Sequence, residues 1–178
     1  MLRTMSRGEF LTRLTIWLAL IAYACAAGTL LMARQRTRWR SFARSLWTFG
    51  CALFLAHVVC AFAYYHDWSH ATAYRETARQ TGEMTGVRWG GGLFLNYLLG
   101  AAWLVDVLCW WHDPERLERR PLWLTRIWHA FFFFMVFNGT VVFGKGPVRW
   151  LGALICVGLA GLWCYRRQRE VAAASPRR

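Results

Sequence analysis

Polar and apolar positions separate along this chain into long blocks. Five apolar runs, at 14–32, 45–65, 91–111, 125–144 and 148–165, alternate with connections in which arginine is frequent. Each run holds about 20 residues, the length at which a helix rising about 1.5 Å per residue crosses a hydrocarbon layer of about 30 Å. The pattern predicts an all-α, polytopic integral membrane protein with five transmembrane helices, built as a single membrane domain over 1–178. All four prolines lie outside the runs, as uninterrupted helices require.

The longest connection, 66–90, has a pattern of its own. In "SHATAYRETARQTGEMTG", Ser69 suits an N-cap, and Ala71, Tyr74 and Ala78 form a short apolar stripe. A short extracytoplasmic helix is therefore expected between the second and third spans. The glycines of "GVRWGGG" then supply a turn into the third span.

Composition strengthens the membrane reading. Hydrophobic residues make up 57% of the 178, with 12 Trp, against about 45–50% apolar residues in an ordinary soluble domain. The net charge of +13 rests on arginine, with Lys145 the only lysine. These charges punctuate apolar spans instead of striping a soluble face, which argues against nucleic acid as a partner. Fourteen fall in 34–44, 112–126 and the tail 166–178, and eight in the opposite set of connections. The bias places the N-terminus outside and the C-terminus in the cytoplasm of a bacterial inner or plasma membrane. Trp and Tyr near both ends of the runs fit two interfacial belts. Arg3, Arg7 and Arg13 before a run ending near "AYACAAG" also fit a cleaved signal peptide. Cleavage would leave the five-arginine loop 34–44 outside, so a retained first helix is the expectation.

Six cysteines, Cys25, Cys51, Cys60, Cys109, Cys156 and Cys164, fall in or at the ends of apolar runs and form no CxxC pair. They read as small buried hydrophobes. The run Phe131–Phe134 covers every side of its helix, as lipid and core packing require.

Polar side chains at membrane depth are expensive and point to function unless they serve as interhelical glue. Counted along the spans, they fall into two layers. His57, Asn96 and Asn138 lie in the outer half, about 18 Å from the cytoplasmic end, while Asp106 and His129 lie about 6 Å from it. The roughly 12 Å between His57 and His129 excludes them as axial ligands of one haem. Asp106 and His129 suit a shielded ion pair or a proton relay.

The stretch "FAYYHDWSH" offers a second chemistry. On a helix continuing past Tyr65, His66 and His70 are about 40° apart and share a face. Asp67 could orient a ring nitrogen, and Glu76 and Glu83 are the further candidates for holding a metal ion or haem. The competing reading makes both histidines interfacial rings beside Tyr64, Tyr65 and Trp68. No nucleophile elbow, phosphate loop, CxxCH or HExxH motif is present. The leading expectation is thus a non-catalytic subunit or accessory protein of a membrane complex. It would meet the lipid bilayer, other membrane subunits or copies of itself through faces such as "GLAG". A membrane metal- or haem-binding redox protein comes second, and a small transporter or proton-conducting unit third.

Overall fold

The computed structural model describes residues 6–32, 37–115, 119–144 and 146–174. All regular structure among them is helical. Helix α1 spans Arg7–Met32, α2 Thr37–Tyr65, α3 His70–Thr85, α4 Gly92–His112 and α5 Leu122–Phe137. A π-helical segment, Asn138–Val142, prolongs α5, and α6 spans Pro147–Ala174. Helices α1, α2, α4 and α6 are long and apolar enough to cross a membrane.

The helices overrun the apolar blocks. α1 and α2 start several residues before their runs, and α6 continues through positions expected to be a tail. Their ends follow local chemistry. Ser6 and Glu9 have capping-box spacing, and Ser6 Oγ accepts the Glu9 N–H at 3.2 Å. Pro147 opens α6, where its missing N–H costs nothing. Within the spans, Thr12, Thr29 and Thr48 donate their hydroxyls to carbonyls one turn earlier, at 2.7–2.9 Å. In an apolar surrounding, that satisfies a group that water would otherwise have to serve.

α1 and α2 form the main antiparallel pair. Their contact is lined by small residues, Ala19, Ala22 and Ala26 on α1 and Ala43 and Cys51 on α2, which let the backbones approach. Beside them, four rings from four helices close the centre. Tyr23 of α1, Trp47 of α2, Trp103 of α4 and Phe132 of α5 all touch one another, with every centroid pair 5.1–6.2 Å apart. Of the four-phenylalanine run, Phe132 alone is fully buried, while Phe134 is half exposed.

α2 does not continue past Tyr65. Asp67 and Trp68 adopt left-handed φ values of 46° and 57°, and the chain reverses into α3. Ser69 caps α3 by accepting the Thr72 N–H at 3.3 Å, and Gly86, at φ 79°, ends it. α3 packs on the start of α4 through Ala73, fully buried, and through Tyr74 beside Phe94. The buried residue of α3 is thus Ala73, outside the expected stripe of Ala71, Tyr74 and Ala78, of which Ala71 and Tyr74 are exposed.

Candidate functional site

The bundle's most costly polar contact lies where α4 ends and α5 begins. Asp106, on the last turns of α4, is 4% exposed. Its carboxylate accepts a short hydrogen bond from Nη2 of Arg120, in the connection leading to α5. The Arg120 side chain is 16% exposed and lies over the Trp128 ring, 5.4 Å from its centroid. Pro121, extended at φ −54° and ψ 138°, precedes α5 and leaves Arg120 just before the helix begins. A buried carboxylate needs such a partner, because desolvating an unpaired charge costs several kcal/mol.

Two cavities flank this pair. One of about 40 Å³ is lined by Trp47, Trp110, Thr125, Trp128 and His129 as well as Asp106 and Arg120. The other, of about 330 Å³, is lined by Val105, Cys109, Leu124 and Pro121. Asp106, Arg120 and Trp128 line both. Next to them, Arg44 places its guanidinium over Trp111 at 4.1 Å, and Trp111 donates to Thr48 Oγ1 at 2.9 Å.

The structure brings Asp106 and His129 to one cavity but gives the ion pair to Arg120. His129 lines the cavity and is partly open to the outside. The other layer does not assemble. The His57 ring nitrogen Nδ1 lies 2.9 Å from the Thr12 carbonyl of α1. Asn138 donates to the Phe134 carbonyl of its own helix at 2.8 Å, and Asn96 is exposed.

At the opposite end, the reversal at Asp67 and Trp68 puts His66 and His70 on different elements. His66 packs edge-on against Phe62, its Nδ1 buried and without a hydrogen-bond partner among the described residues. His70 stacks on Tyr97 of α4, with Nδ1 2.9 Å from the phenol oxygen. Arg79 claims both carboxylates, bonding Glu76 at 2.6 and 2.9 Å and also pairing with Glu83. Arg79, joined by Gln80, holds the Glu76 carboxyl down at about 2. Among the described residues, no three His, Cys, Asp or Glu side chains come together as a metal site. The HxxxH spacing therefore loses its geometric basis, since it required one continuous helix.

Reasoning from sequence missed Arg120, which counted only as an orienting charge. The signal available was its position a few residues from a span that carries an unpaired Asp106. Comparison of the chain with protein-family models, with curated proteins and with solved structures gave no match.

Proposed function

We infer that the chain is a non-catalytic subunit or accessory protein of a membrane complex, and that α6 is its docking helix. The observation that carries this reading is the open face of α6. Among the described residues, nothing lies within 4 Å of a Cβ placed on Gly158 or Gly161, one turn apart in "GLAG". Trp150, Leu154 and Val157 on the same helix are also exposed. Its opposite face packs on the bundle, where Gly152 meets Thr140, Cys156 is buried, Leu159 lies against the core and Arg166 donates to the Leu30 carbonyl. In lipid, small residues promote association by letting helix backbones approach, so an open pair of glycines suits a partner helix better than acyl chains. The partner is another membrane chain or a second copy of this one.

α5 with its π segment makes the fifth crossing in this reading. α3 then lies on the non-cytoplasmic side and the arginine-rich end faces the cytoplasm. The test is native mass spectrometry of the protein extracted from its membrane in a mild detergent. Wild type is expected as a defined assembly, which Gly161→Leu converts to monomer at an unchanged melting temperature. A monomeric wild type, or an assembly indifferent to Gly161→Leu and Gly158→Leu, overturns the reading.

A further inference from the structure

Contacts between helices define one end of the bundle. Trp111, near the end of α4, bonds Thr48, near the start of α2. Arg166 of α6 donates to the Leu30 carbonyl of α1 at 3.4 Å, and the Leu30 side chain lines the small cavity together with Arg120. The segments that meet here are rich in positive charge. By sequence, 34–48, 106–128 and 163–178 hold fourteen arginines against five Asp and Glu, which is nine of the thirteen net positive charges of the chain.

Among the described residues, every arginine stacked on an aromatic ring lies at this end. Arg44 covers Trp111 at 4.1 Å, Arg167 covers Trp163 at 5.3 Å and Arg169 covers Tyr165 at 5.1 Å. The fourth, Arg120 over Trp128, is paired with Asp106. The first three meet no carboxylate among the described residues. A ring beneath a guanidinium leaves its charge intact, and its N–H edge is a planar fork that matches two oxygens of a phosphate. Trp111, Trp163 and Tyr165 are about half exposed, and such rings settle at headgroup level in a bilayer. Helix α1 packs against both α2 and α6, so the stacks flank its end. Headgroups surround a bundle and reach both places, whereas a single acidic docking segment covers one.

We propose that this end of the bundle is a binding surface for anionic phospholipids. Arg44, Arg167 and Arg169 hold the phosphates at the level of their rings, and the acyl chains run along exposed apolar side chains such as Leu108 of α4. Each arginine near an anionic headgroup layer strengthens binding by about fivefold. The surface needs only the rim of the bundle, so it stands whichever chain covers Gly158 and Gly161.

The full chain in dodecyl maltoside is titrated with dioleoyl phosphatidylglycerol and separately with dioleoyl phosphatidylcholine, which share acyl chains and differ in net charge. Bound molecules are counted by native mass spectrometry. Phosphatidylglycerol is expected to bind about tenfold more tightly. Combining Arg44→Gln, Arg167→Gln and Arg169→Gln should bring the two lipids within about twofold of each other. Arg75→Gln with Arg149→Gln, at the opposite end, leaves the preference unchanged. Arg44 is half-buried, whereas Arg167 and Arg169 are exposed, so if Arg44→Gln prevents folding, Arg167→Gln with Arg169→Gln carries the test and cuts the preference at least about threefold. Equal affinity for the two lipids in wild type overturns the proposal and leaves the arginines to an acidic partner chain. A preference that survives the arginine variants overturns it too, placing the lipid elsewhere.

Discussion

Arg120 leaves the connection before α5 to pair with Asp106 inside α4, joining the two helices beside the contact of Trp103 with Phe132. Breaking such a pair strands a desolvated charge, whereas removing both partners strands none. Arg120→Ala is therefore expected to destabilise the protein by about 3 kcal/mol. The double variant Asp106→Leu with Arg120→Met should recover most of that loss. A double-mutant cycle read by thermal or SDS unfolding checks it, and additive single effects would show that the two side chains are not coupled.

Four long apolar helices were legible because length and apolarity in a bilayer leave almost no alternative to helices. Position along a helix was legible too, so Asp106 and His129, expected at one level, line one cavity. Rotation about the helix axis was not. Asn96 and Asn138 were expected near His57 in depth, yet His57 faces a backbone carbonyl of α1, a partner that no side-chain pattern announces. The end of α2 was hidden for a different reason. Asp67 and Trp68 take left-handed conformations where neither glycine nor proline marks a turn, so the pattern ran on through His66 and His70.

Rotation also decides which aromatic ring matters. Of the run Phe131–Phe134, Phe132 completes the four-ring cluster with Tyr23, Trp47 and Trp103. Lipid is as apolar as the protein interior, so the penalty for truncation comes mainly from the void and the lost ring contacts. Phe132→Ala is expected to cost about 2 kcal/mol or more. The half-exposed Phe134→Ala should cost less than about 0.5 kcal/mol, as at other surface positions. Matching losses in an unfolding titration would mean that the cluster is not the centre of the bundle.

Glu76 gives α3 a pH dependence. The hydrogen bond from Arg79 is the largest cause of its low value, partly offset by burial, with Gln80 and the charges of Arg79 and His66 assisting. Its folded value of about 2 lies below the ordinary 4.5, so its contribution is complete above 4.5 and is lost as pH falls toward 2. The side chain is 36% exposed, and solvent screening keeps the effect small and local. Carboxyl NMR should show Glu76 titrating well below the ordinary 4.5, and Arg79→Gln should return it toward that value. A midpoint unaffected by Arg79→Gln would place the cause elsewhere.

The π segment is held by contact with a glycine of α6. Thr140 is buried, donates to the Val136 carbonyl at 2.7 Å, and sits where a Cβ on Gly152 would have to be. The obstruction includes the Cβ of Thr140, so no rotamer change relieves it, and the two backbones must separate. Gly152→Ala is expected to cost about 1–3 kcal/mol, as overpacking usually does. Gly158→Ala, on the same helix with open space around it, should be neutral or slightly stabilising, because alanine is the better helix former. Hydrogen exchange across 138–152 distinguishes the two sites. Gly152→Ala should loosen the π segment and the start of α6 while leaving α1 and α2 protected, and equal protection in both variants would show that α6 is not seated on Thr140.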